Sequence, residues 1–215
     1  MPHDILLDKV DPMAVVNAVN ETLRRIDARL MDHGERVAFI ACELCEAGAL
    51  PLDMETLFLL SIFHDIGAYK TDEIDRMVEF ETGDVWNHSA YGYLFLKHMT
   101  PLKDYAQAIL HHHTPWHILK DLDTDCRDYA SLIHLADRMD IAANYDAEKL
   151  LMGRLLDNSQ GLLREEYLSL ARAAVTERDI ARRLAVGSYR KTNAARCRDF
   201  ISGAAEALEY MKMLV

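Results

Sequence analysis

Histidine and aspartate recur at near-regular intervals through the first two-thirds of this chain: His33, the adjacent pair His64 and Asp65, His88, the pair His112 and His113, and Asp137. The gaps are 31 residues from His33 to His64, then 24 to His88, 24 to His112, and 24 from His113 to Asp137. Imidazole and carboxylate side chains are the groups that hold first-row transition metals. About 24 residues is enough for one helix to leave a point and a second to return to it. Successive helices can therefore each deliver a ligand to one place. His64 and Asp65 weigh most, because they end an apolar run, Leu57 to Phe63, where a buried charge is costly unless paired or metal-bound. The two oxygens of Asp65 can bridge two ions. His33, His64 and Asp137 would complete one shell, and His88, His112 and His113 the other. His3, His98, His111, His117 and His134 read instead as ordinary hydrogen-bonded histidines.

The elements that must position these groups read as helices almost throughout. Asp11 and Pro12 start the first, which a stripe from Val15 to Leu30 carries to about residue 31. A second spans about 33–46 and is broken by Gly48 and Pro51. Asp53 with Thr56 opens a third that runs to Phe63. Residues 69–87 are polar and acidic, a short helix within a loop, and further helices are expected at about 88–99, 102–113 and 126–144. Beyond Tyr145 the chain turns charged and loses histidine, with helical runs at about 146–157, 161–175 and 190–213. The division expected is a metal-binding helical domain over residues 1–144 and a C-terminal helical extension, 145–215, packed on it.

Bulk composition narrows the function. The chain has 215 residues, half of them hydrophobic, which suits one domain with a helical extension. A net charge of −11 argues against a nucleic-acid surface. Bound metal would reverse that sign locally, so a small phosphate-bearing ligand, nucleotides included, fits. Apolar runs fall far short of the roughly 20 residues that cross a bilayer. The opening residues carry no signal-peptide pattern, so a cytoplasmic protein is expected. Cys42 and Cys45 form a C-x-x-C pair inside a helical pattern and read as reduced packing residues.

Five segments, in order, resemble the HD superfamily of metal-dependent phosphohydrolases and within it the HD-GYP branch. His33-Gly34-Glu35-Arg36-Val37 looks like the opening H-x-x-R-V helix, and His64-Asp65-Ile66-Gly67 matches the H-D-I-G core. His88 to Gly92 is similar to the H-P-x-x-G segment, His112 to Trp116 to H-H-E-x-W, and Ala136 to Asp140 to A-D-x-x-D. Aligning Trp116 with the family's tryptophan selects His112 and His113, and a slip of one residue would select His111 and His112. The chain departs from the branch at Ala68, where the family has lysine (Lys70 lies two residues on), and at Thr114, where it has glutamate. His117-Ile118-Leu119 follows Trp116 in place of G-Y-P. Arg29 occupies the position at which some members carry an acidic ligand for a third metal.

The resemblance implies an all-α helical bundle around a metal centre. Its cofactors would be two divalent transition-metal ions, iron or manganese before zinc or nickel, activating a hydroxide for phosphoester hydrolysis. The ligands would be His33, His64, Asp65, His88, His112, His113 and Asp137. Asp65, Lys70 and Arg138 are the catalytic candidates, while Arg36 and Asp140 would bind phosphate or support the ligands. Cyclic di-GMP, the branch's usual substrate, is expected to turn over weakly without the lysine and the triplet. A homodimer through the C-terminal helices is one assembly that the sequence allows. Two alternatives stay open: a non-catalytic signalling or binding module, and a di-iron oxygenase.

Overall fold

The computed structural model describes residues 28–68, 85–100, 102–145 and 161–200, and among them there is no strand. The helices are α1 (Ala28–Ala47), α2 (Met54–Ile62), α3 (Val85–Met99), α4 (Ala106–Leu110), α5 (Trp116–Leu119), α6 (Arg127–Tyr145), α7 (Glu165–Glu177) and α8 (Ile180–Ala185). A further helix, α9, occupies residues 189–200. The fold is all-α, as the hydrophobic periodicity requires.

Every residue of α1 from Val37 to Cys45 is buried, so this helix is enclosed on all sides. α2 and α6 pack along it, and α7 and α8 also contact it. The larger of two hydrophobic clusters among the described residues joins Phe39, Leu44, Leu57, Leu132 and Met139 to Tyr167, Leu168, Ala174, Ile180 and Tyr189, and the smaller gathers Ala38, Cys42, Phe58 and Ile62. The enclosed helix carries one buried carboxylate, Glu43, which demands partners. They come from the C-terminal helices: Arg178 Nε at 2.6 Å, Arg183 Nη1 at 2.8 Å and Arg196 Nη2 at 2.8 Å. Burial pushes the Glu43 carboxyl up, but the three guanidinium groups win and hold it below its ordinary value.

Local sequence explains the helix boundaries near the ligands. Asp53 caps α2, its carboxylate accepting from the Thr56 N–H at 2.8 Å. The predicted break near residue 32 is absent, because α1 runs unbroken through Gly34. A β-carbon at Gly34 would lie 2.5 Å from the Ile62 carbonyl oxygen, so this glycine serves the close approach of α2 and does not end a helix. The helix expected over 102–113 is also divided, into a 3-10 turn at Lys103–Tyr105, the short α4, and a turn at 111–114. Pro115, which adopts extended backbone, prevents that run from joining α5. The run expected over 161–175 lies at Glu165–Glu177 and is followed by α8, which the sequence reading missed. The expected helices over 11–27 and 146–157, the acidic loop 69–84, residues beyond 200, and Lys70 lie outside the described residues. Among those described, no helix is long and apolar enough to cross a membrane, and all four cysteines are free thiols.

Candidate metal centre

Five elements converge at one end of the bundle. α1 supplies His33, the turn after α2 supplies His64 and Asp65, α3 supplies His88, the turn after α4 supplies His112 and His113, and α6 supplies Asp137. All but the half-buried His113 are buried. Gly67 sets how closely the second element meets the third, since a β-carbon there would sit 2.0 Å from the His88 carbonyl oxygen and 2.6 Å from the Gly92 nitrogen.

Asp65 lies in the middle with its two oxygens facing different ways. Oδ2 is 3.2 Å from His64 Nε2 and 3.6 Å from His33 Nε2. Oδ1 is 3.5 Å from both His88 Nε2 and His112 Nε2. Asp137 Oδ1 closes the first group, 3.0 Å from His33 Nε2 and 3.9 Å from His64 Nε2. His113 Nε2 closes the second, 3.0 Å from His88 Nε2. Two ligand sets result: His33, His64 and Asp137, and Asp65 with His88, His112 and His113. His111 stays outside both, its Nδ1 3.4 Å from the Thr114 hydroxyl.

The outer nitrogens fix which face of each ring points inward. His64 Nδ1 donates to the Ser61 carbonyl at 2.8 Å and His112 Nδ1 to the Ile109 carbonyl at 2.6 Å. A carbonyl only accepts, so the proton sits on Nδ1 and each Nε2 presents a lone pair. His33 Nδ1 donates to Asp140 Oδ2 at 2.8 Å, and Asp140 in turn takes Arg36 Nε at 2.6 Å and Nη2 at 2.9 Å. Arg36 is thereby committed to Asp140, and the pair fixes the His33 ring from outside, the arrangement that a metal-ligating histidine would require.

Metal fits these groups on an internal observation. His64 Nε2, Asp65 Oδ1 and His112 Nε2 are buried and have no hydrogen-bond partner. Such orphaned groups are costly and call for an explanation, and all three point into the two ligand sets. The electrostatics agree. Burial would lower His33, but Asp137 and Asp140 push it up to about 10. Burial opposes ionisation of Asp65, yet His64, His112 and His88 hold it well below the carboxylate range. Asp137 is likewise held down to about 2 against burial, chiefly by His33. Desolvation lowers His88 to about 4 and holds His113 well below its ordinary value. The pocket thus combines ionised Asp65 and Asp137 with neutral His88 and His113, the forms in which these groups bind metal. The carboxylates raise His33 and His64 against burial, so metal binding would release a proton there.

Two candidates from the sequence need comment. Arg138 is half-buried on α6 beside Asp137, and burial lowers its guanidinium. His134, read from sequence as an ordinary histidine, is buried one helical turn before Asp137 with its ring centroid 5.9 Å from that of His113. Its i,i+3 relation to Asp137 was the available signal.

Comparison with known proteins agrees with this geometry. The family model described as HD domain matches residues 30–142, which contain every candidate ligand named above. Among curated proteins, a 3'3'-cGAMP-specific phosphodiesterase 1 of Vibrio cholerae serotype O1 is 33% identical over 114 residues, covering 51% of this chain and 26% of the relative. The chain thus corresponds to about a quarter of that relative's length. No solved structure matches the chain.

Proposed function

The chain belongs to the HD domain family, and from that premise we propose that it is a metal-dependent phosphohydrolase that opens a phosphodiester bond of a cyclic dinucleotide. The observation that carries this reading is the division of Asp65: one oxygen faces His33 and His64, the other faces His88 and His112. A carboxylate so placed belongs between two ions. His33, His64 and Asp137 would hold the first with Asp65, and His88, His112 and His113 the second. When bound, such a pair polarises phosphoryl oxygens and lowers the pKa of water near phosphorus.

The protein's own groups supply the rest. Asp140, held by Arg36, keeps the His33 ring turned toward the first ion. The Ser61 and Ile109 carbonyls do the same for His64 and His112. Arg138, beside Asp137, is the described cation best placed in sequence to meet a phosphate. Residues 1–144 would form the metal-binding part, with 145–215 as its extension. Substrate class rests on the relative, whose name specifies a cyclic dinucleotide; 3'3'-cGAMP is therefore the first compound to test, ahead of cyclic di-GMP.

The test is turnover of 3'3'-cGAMP, cyclic di-GMP and a generic activated phosphodiester by protein loaded with manganese or iron under anaerobic conditions. Hydrolysis of 3'3'-cGAMP faster than cyclic di-GMP is expected, and Asp65→Asn should abolish it. Full metal loading with no phosphodiester cleaved would overturn the proposal.

A further inference from the structure

Each candidate ligand set mixes helix and turn, with His64, Asp65, His112 and His113 on turns and His33, His88 and Asp137 on helices, but two of the second set's ligands share one turn. His33 and Asp137 lie within helices of 20 and 19 residues, and α1 and α6 pack on each other. His112 and His113 instead lie on a turn between α4, with five residues, and α5, with four. Helices so short have little stability of their own, so the position of these two histidines depends on what holds the turn. Its upstream end is tied through His112 Nδ1 to the Ile109 carbonyl.

The downstream end is tied by the segment that leads into α7. The Trp116 N–H donates to the Leu162 carbonyl at 2.7 Å, and the His117 N–H to the Gly161 carbonyl at 3.1 Å. His117 Nδ1 donates to that same Gly161 carbonyl at 2.7 Å. Arg164 covers the junction, its guanidinium carbon 4.9 Å from the Trp116 ring centroid and 4.6 Å from that of Tyr167. It also bonds Asp128 Oδ1 at 2.5 Å, on the helix that carries Asp137. Gly161 has φ of +83°, a conformation that glycine tolerates and other residues resist, so the carbonyl used by His117 is presented by a backbone that the sequence supports.

We propose that residues 161–164 form a latch on the ligand turn, and that Arg164 is a positioning residue for the second ion, acting through Trp116 on His112 and His113. This inference rests on the reading of two ion pockets. The latch touches the chain three residues after His113, and none of the bonds just described reaches His33 or His64, so its loss should fall on one pocket. Outer groups that orient a metal ligand typically change affinity about 10–100-fold when removed.

The experiment loads wild type, Arg164→Ala, Arg164→Lys, His117→Ala and Arg178→Ala with manganese. Ions per chain are counted after passage through a chelator, and electron paramagnetic resonance is recorded on the same samples. Wild type should retain two ions with the broad signal of a coupled pair. Arg164→Ala should retain one, give the six-line signal of isolated manganese, and need at least about tenfold more metal to refill the second pocket. Arg164→Lys should fall between, keeping the charge opposite Asp128 without the planar stack. His117 is exposed, so His117→Ala reads the same latch where Arg164→Ala does not fold. Arg178 bonds Glu43 and Glu46 away from the ligand turn, so Arg178→Ala reports general destabilisation of α7. Two tightly held ions in both latch variants, or equal loss of the second ion in Arg178→Ala, would overturn the latch. Fewer than two ions in wild type would overturn the ion-pair reading itself.

Discussion

Replacing Asp140 isolates the support given to a single ligand. Asp140 is fully buried, accepts from His33 at 2.8 Å and holds Arg36 at 2.6 and 2.9 Å. Asp140→Ala frees the His33 ring to turn and strips the guanidinium of its counter-charge. Removing the outer partner of a ligating histidine weakens metal binding about 10–100-fold, which is about 1.4–2.7 kcal/mol. Breaking a buried ion pair on one side costs the fold about 3–5 kcal/mol. The Arg36 side chain keeps 20% of its exposure, so the cost should lie at the low end. Asp140→Asn keeps the volume and one acceptor and should lose metal affinity with less damage to the fold. Calorimetric titration of metal-free protein with manganese measures the first effect, and urea denaturation across pH measures the second. In metal-free protein the carboxylates raise His33 from 6.5 to about 10 against burial, so the folded state holds this proton more tightly than the unfolded chain does. That stabilisation is complete below pH 6.5 and is lost as pH rises toward 10. Wild type should therefore weaken over this window, and Asp140→Asn should show a shallower decline. Wild-type manganese affinity together with an unchanged alkaline slope in Asp140→Asn would refute the reasoning.

Asp65→Ala should remove both ions, more completely than any other single change, because the residue faces both ligand sets; elemental analysis finding two ions in the variant would disprove the bridge. Gly67→Ala should drive the H-D-I-G turn away from α3, given a β-carbon 2.0 Å from the His88 carbonyl oxygen, and loss of the second ion with a lower Tm is expected; wild-type values for both would contradict this. Glu43→Ala should cost about 3–5 kcal/mol in urea denaturation by leaving three arginines around an empty position, whereas a loss within 1 kcal/mol (about the worth of an exposed pair) would place the network's energy elsewhere.

The candidate ligands were legible because metal chemistry admits few donor types, and their spacing along helices leaves a trace in the sequence. His33, His64, Asp65, His88 and Asp137 stand out by type and spacing, the choice of His112 and His113 over His111 needed the alignment of Trp116 with the family's tryptophan, and the structure brings all seven together. What supports them was less visible. Ser61 and Ile109 act through backbone carbonyls, which any residue carries, so no side-chain type announces them. Arg36 and Asp140 stand 104 residues apart, and the sequence offered them as phosphate-binding or ligand-supporting residues without indicating that they pair with one another. Gly34 carries no side chain to announce a role, yet helix packing makes it the contact point of α1 and α2. The helix expected over 102–113 gives way to a turn at 111–114, which local bonds within 109–114 and the tertiary ties at Trp116 and His117 hold and no side-chain pattern announces.

Anomalous diffraction from crystals of manganese-loaded protein, recorded at the manganese absorption edge, tests the central claim most directly. The account predicts two peaks, one on each side of the Asp65 carboxylate and roughly 3.5–4 Å apart. The first should lie among His33, His64 and Asp137, and the second among His88, His112 and His113. A single peak, or two peaks on the same side of Asp65, would contradict it.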